Sequence, residues 1–198
     1  MMAVIYTVKR ATEDGMRVSR EQVAKNRQAI LEAAARLFRA RGFEAVTVAE
    51  VMQAAGLTHG GFYSYFPSKD ALIAEALATA VSAATEDEID LARYARGYLS
   101  RRHRDDIAGG CSTAGLGGEA LRQGPEARAA MTAGLKRQIA RFSRTAPGED
   151  EAAKRRAAIG SWSAMVGAVI LARLCDDAAL SDEVLAETRA WIGAQAGE

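Results

Sequence analysis

Apolar positions in this chain recur at helical spacing over most of its length. Ile30, Ala34, Leu37 and Phe38 fall at i, i+4, i+7 and i+8, one face of a 3.6-residue helix. Ser19 stands where an N-cap is expected and Gly42 where a helix stops, so the first helix is predicted over about 19–41. Thr47 and Glu50 form the T-V-A-E pattern of a capping box and open a short second helix, about 48–54, ending at Gly56. Thr58 is expected to cap a third short helix reaching Tyr65. Pro67 closes it, because the residue before a proline is driven out of the α region. Ser68 caps a fourth, whose stripe is Leu72, Ile73, Ala76, Leu77, Ala80 and Val81. Further helices are predicted near 86–99, 104–121, 125–143, 150–175 and 181–195. Breaks are expected at the Arg101–Arg104 cluster, at Gly124-Pro125, at Pro147-Gly148 and around Asp176–Ala179. Residues 1–18 lack periodicity and are read as an N-terminal extension, with Lys9, Arg10 and Arg17 near a nucleic-acid backbone only if the arm lies there.

Composition supports an all-α chain. Of 198 residues 49% are hydrophobic and 26% charged, enough apolar material for a buried core, and there are only three prolines to interrupt helices. The net charge of +1 says nothing about nucleic acid, but its distribution leans one way. Up to Asp70 there are ten Lys/Arg against seven Asp/Glu, and beyond it sixteen against eighteen, so the front end is mildly basic. Cys111 and Cys175 have no metal-ligand spacing and are read as free, buried thiols in a reducing compartment. The apolar start, MMAVIYTV, is too short for a signal segment, and no run is expected to reach the length of a membrane span. The expectation is a cytoplasmic protein without cofactor, metal or membrane partner.

The chemistry is concentrated in Thr47–Lys69, TVAEVMQAAGLTHGGFYSYFPSK. Two short helices joined by the tight turn Ala55-Gly56-Leu57 are too short to be stable alone and must pack on the first helix. Three helices with this turn make a helix-turn-helix, whose last helix enters a major groove. Thr47 and Thr58 place hydroxyls at helix starts. His59, Gly60 and Gly61 lead the third helix, where small residues permit close approach and His59 suits a purine edge. Tyr63, Ser64 and Tyr65 add hydroxyls, and Lys69 is positioned for a phosphate. Phe62 and Phe66, four apart, are read as core anchors.

These residues carry a resemblance. The run Ile30-Leu31-x-Ala33-Ala34-x-x-Leu37-Phe38-x-x-x-Gly42-Phe43, then Thr47-Val48-x-x-Val51, Ala55-Gly56-Leu57-Thr58 and Gly61-Phe62-Tyr63-x-Tyr65-Phe66-x-Ser68-Lys69-x-x-Leu72 resembles the tetracycline-repressor (TetR/AcrR) family of bacterial regulators. The resemblance implies an all-α fold of about nine helices. It comprises an N-terminal helix-turn-helix domain (19–66) and a C-terminal helical ligand-binding and dimerisation domain (67–198). It also implies homodimers on palindromic double-stranded DNA, released by a small-molecule effector, with DNA contacts falling on Thr47, Thr58, His59, Gly61, Tyr63, Ser64, Tyr65 and Lys69. The sequence departs from the family at Gly60-Gly61, where the second position often carries a hydroxyl or alanine, and in its long N-terminal extension.

The C-terminal half adds two readings. The helix near 150–175 is apolar nearly all round, and the last helix carries a second stripe. A monomer would expose much of both, so a dimer interface is expected from Ile159, Trp162, Val166, Val169, Ile170 and Leu174 with Val184, Leu185, Thr188, Trp191 and Ile192. An effector pocket among the fourth to eighth helices is expected from Leu77, Tyr94, Tyr98, Cys111, Met131, Leu135, Phe142, Trp162 and Met165, residue types that serve equally as core. Arg101, Arg102, His103 and Arg104 would activate the Cys111 thiol if they lay beside it. Gly115-x-Gly117-x-x-Ala120 is only a loose dinucleotide fingerprint, since no strand precedes it. His59 and His103 have no partnered acid or nucleophile at a catalytic spacing, so no enzyme is expected. The expected mechanism is a pendulum, in which effector binding favours a spacing of the two DNA-binding heads that no longer fits successive grooves. The alternatives are a transcriptional activator and a helical protein-binding adaptor that leaves DNA alone.

Overall fold

The computed structural model describes residues 19–82 and 89–196. The N-terminal extension, with Lys9, Arg10 and Arg17, lies outside the described residues, as does the expected start of the helix near residue 86.

Helix α1 (Arg20–Arg41) begins as its sequence dictates: Ser19 Oγ accepts the Gln22 N–H at 3.1 Å. It ends at Gly42, whose φ of +82° few other residues tolerate, with the Gly42 N–H donated back to the Phe38 carbonyl. Helix α2 (Val48–Ala54) opens on a complete capping box: Thr47 Oγ1 accepts the Glu50 N–H, and Glu50 Oε2 accepts the Thr47 N–H at 2.8 Å. That bond to the Thr47 backbone, helped by Arg41 at 2.7 Å, holds the Glu50 carboxyl down at about 2. Gly56, at φ +73°, turns the chain out of α2.

The third helix departs from expectation. His59–Ser64 is a 3-10 helix, and Thr58, though extended as a cap should be, makes no side-chain capping bond. Gly60-Gly61 explains the difference: two glycines at its start weaken an α-helix by about 0.5–1 kcal/mol each, and the segment is only six residues long. Helix α3 (Lys69–Ser82) follows, capped as expected by Ser68 Oγ on the Ala71 N–H.

The remainder is helical: α4 (Leu91–Tyr98), α5 (Arg101–Asp105), α6 (Ser112–Ala120), α7 (Pro125–Ser143), α8 (Glu151–Leu174) and α9 (Ala178–Ala196). The described residues thus hold nine α-helices and one 3-10 helix, with no strand. The helix expected over 104–121 is broken in two, and the arginine cluster expected as a break is itself α5. Ser100 Oγ caps α5 through the His103 N–H, and the Asp106 carboxylate takes the Gly109 N–H to turn the chain before α6.

Two apolar cores run through the molecule. The first joins α1, α2, the 3-10 helix and α3 through Phe38, Phe43, Met52, Phe62 and Phe66, and continues into Leu116 and Ala120 of α6 and Ala127 of α7. The second joins α4, α7, α8 and α9 around Tyr98, Phe142, Trp162, Met165 and Val169. Helix α8 corrects one expectation, because it is long and apolar enough by composition to cross a membrane. Its apolar character is used here for packing between α7 and α9, and Trp162, Met165 and Val169 are buried in protein.

Helices α3 and α7 pack tightly at Gly134. A Cβ there would lie 2.5 Å from the Val81 Cβ, and β-branched Val81 has little freedom to yield. Gly134→Ala is expected to destabilise the protein by about 1–3 kcal/mol through overpacking. Urea unfolding of the two proteins measures it, and equal midpoints would show that the helices can separate at no cost.

Candidate nucleic-acid interface and internal cavity

The face presented by the second and third helices follows from what anchors them. Phe62 and Phe66 are buried to 1% and 0% exposure, their rings 5.9 Å apart. With that side sealed, Thr58, His59, Gly60 and Ser64 are exposed, and Tyr63 is 75% exposed. Thr47 is also exposed at the head of α2, its hydroxyl donating to Glu50 Oε2 at 2.8 Å. Gly61, Tyr65 and Lys69 are half-buried. Tyr65 is held from α1, since its hydroxyl accepts a hydrogen bond from Asn26 Nδ2 at 2.9 Å. Arg27 of α1 lies over the Phe66 ring at 4.6 Å and pairs with Glu75 of α3. The exposed face is therefore small, polar and braced from behind on both sides.

A cavity of about 1290 Å³ lies between α1, α3, α4, α7 and the chain leading into α6. Of the residues expected in a pocket, Tyr94, Tyr98, Cys111, Leu135 and Trp162 line it. The other four lie elsewhere: Leu77 is buried in the first core, Met131 packs against that core, and Phe142 and Met165 fill the second. The aromatic wall is continuous, with Tyr94 stacked on Tyr98 at 5.7 Å and Trp162 edge-on to Tyr98 at 5.4 Å. Burial pushes the Tyr94 phenol up to about 12 and the Tyr98 phenol further, so both keep their protons.

His103 fixes the far side of this cavity. Its Nδ1 lies 2.7 Å from the Tyr98 carbonyl, which can only accept, so Nδ1 carries the hydrogen. Its Nε2 accepts the Cys111 N–H at 3.2 Å, which requires the neutral ring. Burial accordingly lowers the His103 pKa, with Arg173 adding to the effect and the bond to Tyr98 opposing it. The arginines of the cluster do not surround Cys111. Arg101 and Arg104 reach Asp182 of α9, and Arg102 is exposed; His103 alone of the four is bonded to Cys111, through the backbone. Cys111 and Cys175 are free but half-buried rather than buried.

Two residues that no spacing singled out tie α6 to the first helix and the turn after it. Arg39 of α1 donates to the Ala108 carbonyl at 2.6 Å and to Ser112 Oγ at 3.2 Å, at the entrance to α6. Glu119 at the other end of α6 accepts the Phe43 N–H at 2.7 Å, just past the end of α1. The first helix is thus tied to α6 at both ends of α6. The sequence offered only a charged residue beside Phe38 and an acid in a glycine-rich helix, with nothing to pair them.

On α8 and α9, the residues expected at a dimer interface divide by environment. Trp162, Val169, Leu185 and Ile192 are buried within the chain, and Val166, Val184 and Thr188 are half-buried. Ile159, Ile170, Leu174 and Trp191 remain exposed, joined by Leu171 and Leu180, which the helical stripes had not assigned to that face. Among the described residues no group of three or more His, Cys, Asp or Glu side chains is placed to hold a metal ion.

Residues 30–76 match the family model described as bacterial regulatory proteins, tetR family. Over 51 residues the chain is 45% identical to the uncharacterized HTH-type transcriptional regulator YdgC of Bacillus subtilis (strain 168), covering 26% of each chain. Over 63 residues it is 35% identical to the uncharacterized HTH-type transcriptional regulator YfiR of the same organism, covering 32% of this chain and 31% of that one. The chain thus matches less than a third of the length of either relative. Among solved structures it is similar to the reduced form of E. coli NemR, with a TM-score of 0.71 and 23% identity over 86% of this chain and 97% of that one. It is also similar to the regulatory protein TetR from Rhodobacter sphaeroides, with a TM-score of 0.63 and 22% identity over 85% and 97%. At these identities the structures speak for the fold.

A half-buried neutral histidine has a stability signature. Because the folded pKa of His103 lies below the ordinary 6.5, its contribution is complete above that pH and is lost as the pH falls below it. The melting temperature is expected to drop between pH 7.5 and 5.5, and His103→Gln to flatten that drop. Parallel curves for the two proteins in thermal scans would place the proton uptake elsewhere.

Proposed function

From the chain's membership of the tetR family of bacterial regulatory proteins, helix-turn-helix regulators of transcription, we propose that it is a repressor. In this reading a homodimer holds a palindromic operator and a small molecule in the internal cavity releases it. The observation that carries the proposal is the overlap of the matched segment with the anchored helix pair. Residues 30–76 contain the buried Phe62 and Phe66 and the exposed His59, Tyr63 and Ser64.

The proposed DNA contacts are Thr47, Thr58, His59, Gly60, Gly61, Tyr63, Ser64, Tyr65 and Lys69. Tyr63 has the longest free reach toward a base edge or phosphate. Lys69, at the start of α3, meets the backbone as a point charge. Tyr65 acts chiefly by fixing the end of the 3-10 helix through Asn26. The exposed apolar face of α8 and α9 supports a dimer. Leu174 and Trp191 are 76% and 50% exposed, large side chains that a second copy would cover. A two-fold dimer presents two heads to half-sites about 34–36 Å apart, one helical turn of DNA.

Release follows from linkage. A ligand that prefers one arrangement of α1 relative to α6 shifts the heads only by its difference in affinity for the two arrangements. The tie through Arg39 and Ser112 is where the cavity wall and the first helix are physically the same contact, and Glu119 holds the other end of α6 to Phe43.

Sites selected from random duplex DNA by the purified protein are expected to share a palindrome, and gel shifts on it to weaken steeply with salt. Tyr63→Phe and Lys69→Ala should each weaken binding by roughly tenfold or less, about 1 kcal/mol, with unchanged melting. Wild-type affinity in both variants would remove those contacts, and no shift at low salt would favour an adaptor.

The dimer has its own test. Leu174→Glu paired with Trp191→Glu should yield a folded monomer by sedimentation velocity, where the parent sediments as a dimer. A dimer surviving both changes would move the interface away from α8 and α9.

A further inference from the structure

Three hydrogen-bond donors in the cavity wall lack the acceptor their surroundings call for. Tyr98 is 6% exposed, and its hydroxyl has no oxygen or nitrogen partner, with the Cys111 thiol its polar neighbour. Gln138 Nε2, buried in the same wall, has none either. Arg39 is desolvated enough for its pKa to be lowered, yet its guanidinium bonds only to neutral oxygens, those of Ala108 and Ser112. Asp106 is the acid nearest in effect, and its carboxylate is engaged by the Gly109 N–H.

Charge around the cavity points the same way. Its described lining includes Arg36, Arg39 and Arg93 beside two acids, Glu32 and Asp90, and of these five only Arg39 is withdrawn from solvent. Both acids are exposed and already used: Glu32 accepts from Gln28, and Asp90 caps α4 on the Arg93 N–H. Behind these groups stands the wall of Tyr94, Tyr98 and Trp162, flat surfaces suited to an aromatic ring. Burial keeps the Tyr98 phenol protonated, so it is available as a donor.

We propose that the cavity takes a small aromatic carboxylate, its ring against Tyr94, Tyr98 and Trp162 and its anionic oxygens on Arg39. Tyr98 and Gln138 donate to its remaining polar atoms. This assignment rests on the cavity being the effector site. It also names the first contact that would change on binding. A carboxylate on Arg39 competes with Ala108 and Ser112 for the same guanidinium, and it brings an opposite charge and two acceptor oxygens where they bring single neutral ones. The tie between α1 and the entrance to α6 is then loosened from inside.

The test uses the full chain and three probes of one shape: 2-naphthoate, neutral 2-naphthamide and cationic 2-naphthylmethylamine, each titrated calorimetrically. Naphthoate is expected to bind at least about tenfold more tightly than the amide, and the amine more weakly than either. Arg39→Gln should shrink the acid–amide gap to about threefold or less. Tyr98→Phe, which leaves the ties to α6 in place, should weaken the acid several-fold and serves if the Arg39 variant fails to melt cooperatively. An amide or amine that binds as well as the acid overturns the proposal, as does a gap untouched by both variants. If no probe binds while the operator shift persists, the ligand class is wrong and the repressor reading stands. If naphthoate binds through Arg39 without releasing operator DNA, the ligand class stands and the effector role of the cavity fails.

Discussion

A seven-residue helix followed by six residues of 3-10 helix has no stability of its own in water. The first turn of any helix costs several backbone torsions for one hydrogen bond, and neither element is long enough to recover that cost. Their existence depends on burial against α1. Phe62 and Phe66 enter a core already built from Ile30, Ala34, Phe38 and Phe43, and the polar face is defined only as the side those rings leave outside. Everything the head could do to DNA is therefore conditional on the apolar face of one long helix.

The same helix also carries the contacts that join the first core to α6. Arg39 and Phe43, at its C-terminal end, are held by the two ends of α6, and the segment entering α6 forms part of the cavity wall. Close packing transmits small shifts because it lacks room to absorb them, and the approach of Val81 to Gly134 shows how little room there is beside α3. Ser112 and Ala108 touch α1 directly, through the Arg39 guanidinium.

Much of this was legible in the chain. Ser19, the Thr47–Glu50 pair, Gly42, Gly56 and Ser68 act locally, within four residues of their partners, so their consequences can be read in order along the sequence. Phe62 and Phe66 were readable as core because helical spacing separates faces. The 3-10 character of His59–Ser64 was not, since helix periodicity alone does not weigh two glycines against a weak cap. The α5–α6 break falls over 106–111, where Gly109-Gly110 could have marked it, while the arginines read as a break are good helix formers and make α5. The pairing of Arg39 with Ala108 and Ser112, like that of Glu119 with Phe43, joins positions some seventy residues apart, and no local pattern encodes it. The division of the α8 and α9 stripes between core and surface failed for a related reason: a helix apolar on most sides does not announce which side its own chain will cover.

The first core does not stop where the helix-turn-helix does. Leu72, Ile73, Ala76 and Leu77 of α3, with Leu116 and Ala127 farther along, are as much a part of it as Phe38. A chimera that grafts residues 19–66 onto another scaffold would therefore carry away half of a jigsaw. The transplant would need α3 as well, and a host helix able to stand in for α6, before the borrowed segment could hold its shape.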